Sequence, residues 1–186
     1  MQQYRLHFIL NYVIMHTKGL FLKQNQLYEV VKLSKSCCFA GHGDYGYNED
    51  FYNTLISEIE SLILNQKVNE FYVGNYGMFD RMSARAVRSL KSKHPHIKLY
   101  LTLPYLTSEI NEDKERYYKD FDAILIAQFP ESTPRRLGIL KCNEYMVNKC
   151  DFLLCFVKYS WGGAAKTLEY AKKKGNIEIV NLSIKI

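Results

Sequence analysis

One stretch near the C-terminus constrains the fold more than any other part of the chain. Residues 151–157 read Asp-Phe-Leu-Leu-Cys-Phe-Val, a run of strand length that is apolar from its second residue onward. A strand without polar alternation is typical of a parallel sheet covered by helices on both faces. Gly162 and Gly163 follow, and a helical segment leads from them to Gly175. The stretch therefore predicts a strand, a glycine turn and a helix, the repeating unit of an α/β fold.

The paired glycines admit two interpretations. Gly162 and Gly163 open a helix, where backbone N–H groups and the helix dipole favour an anion such as phosphate. The same glycines could instead permit only a tight turn and close packing of the helix on the sheet. Their spacing alone does not decide between these interpretations.

The strand–turn–helix pattern recurs along the chain. Apolar runs at 37–40, 71–73, 97–103, 123–127, 152–157 and 177–180 predict strands, with amphipathic helical segments between most of them. This alternation predicts a Rossmann-like α/β fold, with a doubly wound, mainly parallel sheet and helices on both faces. Loops that follow parallel strands meet at one edge, where such sheets bind ligands. The glycine-bearing turns at Gly41, Gly74 and Gly162 should all lie there.

The first turn matches part of a dinucleotide-binding motif. Residues 41–46 read Gly-His-Gly-Asp-Tyr-Gly directly after a strand. The complete motif also requires an acidic residue at the end of the second strand, where this chain has Gly74 and Asn75. Glu49 and Asp50, at the start of the following helix, would repel a pyrophosphate. The glycine pattern by itself does not identify a dinucleotide site.

Composition narrows the class of protein. The 186 residues suit one principal domain, and the net charge of +6 permits anionic ligands without demanding nucleic acid. The five cysteines form no CxxC pair, which predicts reduced core thiols in a cytoplasmic protein and no metal site. No apolar run is long enough to span a membrane, so no membrane partner is expected. Residues 1–34 depart from the strand–helix rhythm and are assigned to an extension of unknown role, with the domain at 35–186.

A row of arginines follows the second glycine turn. Arg81, Arg85 and Arg88 fall at i, i+4 and i+7 and therefore share one helix face. Such a row could contact phosphate groups. A solvated helix face is the commoner explanation for this pattern.

Several blocks, taken in order, resemble one superfamily. They are Phe39-Ala40-Gly41-His42, residues 72–80 (Tyr-Val-Gly-Asn-Tyr-Gly-Met-Phe-Asp), residues 143–147 (Asn-Glu-Tyr-Met-Val), and residues 150–171 with their paired glycines and Thr167-Leu168-Glu169. This order resembles the SLOG superfamily, Rossmann-like domains related to the DNA-processing protein A and lonely-guy families, and in particular its YspA/YpsA-like bacterial branch. The resemblance covers residues from about 35 to the C-terminus. In the first block Gly43 occupies the position where the family usually has arginine.

The resemblance implies a domain that senses or processes a nucleotide or nucleotide-derived ligand at the glycine edge. Glycine N–H groups would hold the phosphate, and His42 or Asp80 would contact the sugar or base. A homo-oligomer is possible, and no particular cofactor is implied. The candidate ligand-binding residues are Gly41, His42, Gly43, Gly74, Gly77, Asp80, Gly162, Gly163 and Thr167.

Two alternative functions follow from the same resemblance. In a phosphoribohydrolase of lonely-guy type, Glu169 would be the catalytic carboxylate, although Ala165 and Lys166 replace the Gly and Thr of that signature. Glu169 could instead pair with Lys172 or Lys173 on its own helix. In a protein of DNA-processing type, the arginine row would bind nucleic acid. Whether the chain is an enzyme stays open at this point.

Overall fold

The apolar runs form a six-stranded sheet. The computed structural model describes residues 34–43 and 46–184, apart from the side chains of Glu109 and Lys114, so the predicted extension lies almost entirely outside the described residues. The strands are β1 (Lys35–Gly41), β2 (Val68–Val73), β3 (Lys98–Leu103), β4 (Ala123–Ile126), β5 (Phe152–Phe156) and β6 (Glu178–Asn181). All five pairs of neighbouring strands are parallel, which confirms the predicted fold class.

Helices connect the strands. They are α1 (Glu49–Gln66), α2 (Met78–Leu90), α3 (Ser108–Glu112), α4 (Lys114–Asp120), α5 (Gly138–Lys149) and α6 (Gly162–Lys174). Short 3₁₀ turns occupy Arg135–Leu137 and Leu182–Ile184. The polar segment between β3 and β4 contains the two short helices α3 and α4. The chain from Arg135 begins as a 3₁₀ turn and becomes α-helical at Gly138.

The strand order places a ligand crevice beside β1. The order across the sheet is β4-β3-β2-β1-β5-β6, so the chain winds outward from β1 in one direction and then returns to the other side. In parallel sheets ligands bind at this reversal, outside the carboxyl ends of the central strands. Gly41 at the end of β1 pairs with Phe156 at the end of β5. The first and last glycine turns therefore leave the sheet side by side.

Each face of the sheet is covered by its own helices. One core cluster joins the sheet to α1 and α2 through residues such as Phe39, Phe71 and Leu55, while the other joins it to α5 and α6 through Leu153 and Met146. β5 is buried along its whole length, with Leu154 in the first cluster and Leu153 in the second. The apolar composition of β5 thus follows from burial on both faces.

All five cysteines are buried free thiols. Burial raises the pKa of Cys37 and Cys38 well above the ordinary value, and it raises the pKa of Cys142 to about 12. Thiols in this state are neutral core residues of low reactivity. Within the described ranges, no three His, Cys, Asp or Glu residues group in a way that could hold a metal ion. No helix in that part of the chain is both long and apolar enough to cross a bilayer.

Candidate functional site

A cavity of about 390 Å³ opens at the carboxyl ends of β1 and β5, at the reversal of strand order. Four segments form its walls: the turn after β1, the turn that leads into α2, the first turns of α5, and the turn that leads into α6. The lining residues are Ala40, Gly41, His42, Gly43, Tyr76, Gly77, Asp80, Ile139, Asn143, Tyr159, Trp161, Gly162, Gly163 and Ala164.

The cavity collects most of the candidate residues. Gly41, His42, Gly43, Gly77, Asp80, Gly162 and Gly163 all line it, although the first and last of these are 122 positions apart in the numbering. Gly74, Thr167 and Glu169 do not belong to its lining. The remaining lining residues, which sequence reasoning missed, are Ala40, Tyr76, Ile139, Asn143, Tyr159, Trp161 and Ala164.

The N-terminus of α6 opens into this cavity. Trp161 occupies the N-cap position in extended conformation, it makes no side-chain capping hydrogen bond, and the first turn carries no acidic residue. Gly162 has φ of +89°, a left-handed conformation that favours glycine, whereas a Cβ on Gly163 would meet nothing within 4 Å. Helix N-terminal N–H groups without a side-chain acceptor are available to a ligand. Of the glycine turns in this sheet, this one best suits an anion.

The helix starts that follow the other two glycine turns, those of α1 and α2, are already satisfied. At α1, Asn48 Oδ1 accepts a hydrogen bond of 2.9 Å from the N–H of Phe51, and Glu49 and Asp50 add negative charge. At α2, the Asp80 carboxylate accepts from the N–H of Tyr76 at 3.0 Å. These acidic groups oppose a phosphate at either end.

Asp80 is held in place by its surroundings. Burial raises the pKa of Asp80, and hydrogen bonds from the N–H groups of Tyr76 and Gly77 oppose that rise. A Cβ added to Gly74 would lie 3.1 Å from Asp80 Oδ2. Gly74, predicted to bind ligand, is therefore a buried packing partner of the carboxylate rather than part of the cavity wall. Asp80 instead shapes the turn that carries Tyr76 and Gly77.

His42 organises the turn between β5 and α6. Its Nε2 accepts hydrogen bonds from the N–H of Lys158 at 3.0 Å and from the N–H of Tyr159 at 3.2 Å. Two donors at Nε2 require the neutral ring with its proton on Nδ1. Burial also lowers the pKa of His42, which favours this neutral form. The predicted contact with a sugar or base thus cannot use Nε2, because that atom is occupied.

Two exposed aromatic rings border the cavity. Tyr159 and Trp161 stack with ring centroids 5.5 Å apart and an interplanar angle of 17°. The His42 ring supports Tyr159 from a centroid distance of 5.1 Å. Trp161 is 69% exposed and Tyr159 is 41% exposed. We call this pair, Tyr159 and Trp161, the aromatic lip.

Thr167 is buried beneath the first turn of α6. Its Oγ1 donates to the carbonyl oxygen of Gly163 at 2.9 Å and accepts from Asn143 Nδ2 at 3.1 Å. The hydroxyl predicted to contact the ligand is therefore engaged within the protein, where it joins α6 to α5. Asn143 lies at the cavity wall one helical turn after Ile139, so these two α5 residues face the same space.

Comparison with solved structures shows which known fold this is. DNA processing protein A from Streptococcus pneumoniae superposes with a TM-score of 0.52 and 14% identity, covering 81% of this chain and 50% of that one. A second match is DNA processing protein A from Helicobacter pylori, whose single-stranded DNA binding mode has been described. It superposes with a TM-score of 0.54 and 12% identity, covering 76% of this chain and 62% of that one. Both matches show that this chain shares the Rossmann-like fold of DNA processing protein A, the fold that the resemblance to the SLOG superfamily implies.

Two bacterial proteins are similar to this chain in sequence. The SPbeta prophage-derived protein YoqJ of Bacillus subtilis is 27% identical over 136 residues, which are 64% of this chain and 78% of YoqJ. A UPF0398 protein of Halalkalibacterium halodurans is 29% identical over 118 residues, which are 60% of this chain and 62% of that protein. No family model matches the chain. Apart from YoqJ, the chain spans less than two thirds of each of these relatives.

Gly41 and Gly77 serve packing between the first two glycine turns. A Cβ on Gly41 would lie 2.2 Å from Cγ of the buried Phe79, and a Cβ on Gly77 would lie 2.9 Å from the Cα of Gly43. Such distances leave no room for a side chain. These glycines let the turn after β1 and the start of α2 approach each other, so their presence does not itself indicate a ligand.

Glu169, the candidate catalytic residue of the phosphoribohydrolase hypothesis, lies outside the cavity lining. Its Oε1 is 3.3 Å from Nζ of Lys173, an i, i+4 pair on the exposed face of α6. The arginine row also makes contacts within the protein. Arg85 lies 4.8 Å from the ring centroid of Tyr52, and Arg88 lies 3.8 Å from an Asp120 carboxylate oxygen.

Proposed function

We propose that this chain binds a nucleotide or nucleotide-derived ligand in the cavity, with its phosphate on the N-terminus of α6. The observation that carries the proposal is the uncapped first turn of α6 at Gly162 and Gly163, which faces a cavity at the reversal of strand order. The helix starts after the other two glycine turns carry acids, so among the three glycine turns α6 offers the most favourable field for an anion.

Gly163→Val tests this proposal. Gly163 has no positive φ and its Cβ would meet no atom, so the fold should tolerate valine, while the isopropyl group would occupy the space of the phosphate. AMP or ADP-ribose should bind at least tenfold more weakly, about 1.4 kcal/mol, in calorimetric titration. Gly163→Ala should have a smaller effect because it adds only a methyl group.

Gly46→Val is the matched control. A Cβ at Gly46 also meets nothing within 4 Å, and Gly46 is not part of the cavity lining. This variant should melt and bind like the wild-type protein. Undiminished binding in Gly163→Val, with Gly46→Val normal, would contradict a phosphate at α6. No binding of any nucleotide by the wild-type protein would contradict the proposed function as a whole.

Single-stranded nucleic acid is the second candidate ligand. The favouring observation is the exposed aromatic lip, because sequence-tolerant binding of single strands uses bases stacked on aromatic rings. DNA processing protein A from Helicobacter pylori, which shares this fold, binds single-stranded DNA. Anisotropy titration of a labelled oligonucleotide at several salt concentrations tests this candidate, since contacts with many phosphates give a steep dependence on salt.

A further inference from the structure

Trp161 of the aromatic lip is the most exposed large hydrophobic side chain in the cavity lining. Trp161 is 69% exposed, and it directly precedes the glycine that begins α6. Folding does not require a large ring to remain in water at this position. Exposed aromatic surface beside a cavity with polar groups is typical of a binding site.

The lip is also held rigid before any ligand arrives. His42 accepts hydrogen bonds from the backbone of Lys158 and Tyr159, and its ring packs against Tyr159. Trp161 then stacks on Tyr159 with nearly parallel rings. A preorganised aromatic surface binds a planar group without the entropy cost of ordering side chains.

Charge limits the rest of the ligand. The described residues that line the cavity include no lysine or arginine, and they include one carboxylate, Asp80. The helix terminus contributes roughly half a positive charge. That field suits one phosphate group, while additional phosphates would find no lysine or arginine among the described lining residues.

Resting on the proposed function, we infer that the ligand is a nucleoside monophosphate whose base stacks on the aromatic lip. Its phosphate would lie at the first turn of α6, and its base on the exposed ring of Trp161, one residue earlier in the chain. A sugar joins the two groups across the cavity. The lip is then the specificity-determining element, because it favours nucleotides over sugar phosphates, which have no base to stack.

The chain contains one tryptophan, which makes the test direct. A base stacked on Trp161 should quench the intrinsic fluorescence of the protein saturably as AMP is added. Ribose 5-phosphate should bind at least tenfold more weakly than AMP and leave the fluorescence unchanged. ATP should also bind at least tenfold more weakly than AMP, because the described cavity lining offers its additional phosphates no lysine or arginine.

Variants separate the lip from the phosphate site. Trp161→Ala should weaken AMP binding at least tenfold in calorimetric titration while leaving the affinity for ribose 5-phosphate unchanged. Trp161→Phe keeps a ring and should retain most of the affinity. Tyr118→Ala is the matched control, since Tyr118 is 61% exposed on α4 and does not line the cavity. Melting curves of all variants should match the wild-type curve.

The outcomes distinguish this inference from the proposed function. Equal binding of AMP by Trp161→Ala and wild type would overturn the stacking inference, while a loss in Gly163→Val would still support the phosphate site. Equal affinity for AMP and ribose 5-phosphate would likewise overturn it. If an oligonucleotide quenches the fluorescence but AMP does not, the ligand is single-stranded nucleic acid and not a nucleoside monophosphate. If no phosphate compound binds, both proposals fail together.

Discussion

Replacing His42 tests whether one neutral ring holds the β5–α6 turn. His42→Leu keeps an apolar side chain but removes the acceptor for the N–H groups of Lys158 and Tyr159. A typical hydrogen bond contributes about 0.5–1.5 kcal/mol net, so two would contribute about 1–3 kcal/mol. Lys158 and Tyr159 are exposed, and water can partly replace the lost acceptor. We therefore expect a loss of about 1–2 kcal/mol in the free energy of unfolding.

Thermal and urea unfolding measure this loss. In a domain of this size, 1 kcal/mol shifts the melting temperature by about 2–4 °C, so His42→Leu should melt about 2–8 °C lower. His42→Gln is the matched control because its amide oxygen can take the position of Nε2 but cannot titrate. It should retain more of the stability than His42→Leu, together with most of the AMP affinity, since the aromatic lip stays in place.

The pH dependence gives an independent readout. Burial lowers the pKa of His42 in the folded protein, so the unfolded chain binds this proton first as pH falls. The contribution of His42 to stability is therefore complete above about pH 6.5, its unfolded value, and is lost as pH falls through the lower folded pKa. His42→Gln should lose less stability than wild type across this window. Parallel stability–pH curves, or an unchanged melting temperature in His42→Leu, would refute the assigned role.

Three further predictions concern packing, catalysis and the domain boundary. Gly41→Ala should destabilise the fold by about 1–3 kcal/mol in urea unfolding, because its Cβ would overlap buried Phe79; wild-type stability would contradict that packing. Glu169→Gln should change the free energy of unfolding by no more than about 0.5 kcal/mol, because Glu169 forms an exposed ion pair. The release of free base from AMP should be low in the wild-type protein and equally low in this variant. Robust release abolished by that substitution would instead support a phosphoribohydrolase. A protein truncated to begin at Lys35 should still melt cooperatively, whereas aggregation would show that the boundary is wrong.

The fold could be predicted because its determinants are local. The apolar run of β5 indicates burial on both faces, and the stripe of Leu55, Ile59 and Leu62 indicates a helix packed on a sheet. Strand order depends instead on contacts between distant segments. The pairing of β1 with β5 joins Cys38 to Leu153, and no local pattern specifies that neighbour.

The site could be predicted only where a residue type implies a backbone conformation. Gly162 marks the start of α6, and it does adopt a left-handed φ. Gly41 is a glycine for a different reason: a side chain there would overlap Phe79, which lies far away in sequence. Tyr159, Trp161 and Asn143 carry no such signal, although Trp161 directly precedes the paired glycines and Tyr159 lies two residues before Trp161. Their roles depend on the ring of His42 and on Thr167, which only the folded chain brings near.

The distribution of charge separates the two candidate functions. The chain carries a net charge of +6, yet the cavity lining within the described residues contains no lysine or arginine. Arg85 and Arg88 on α2 are engaged by Tyr52 and Asp120 rather than directed at the cavity. Affinity for a phosphate there must come from backbone N–H groups, which displace few counterions, so a bound nucleotide should show a shallow dependence on salt. A bound single-stranded nucleic acid needs cationic side chains along its path, so its affinity should depend steeply on salt. The slope of affinity against salt concentration therefore distinguishes the two classes of ligand.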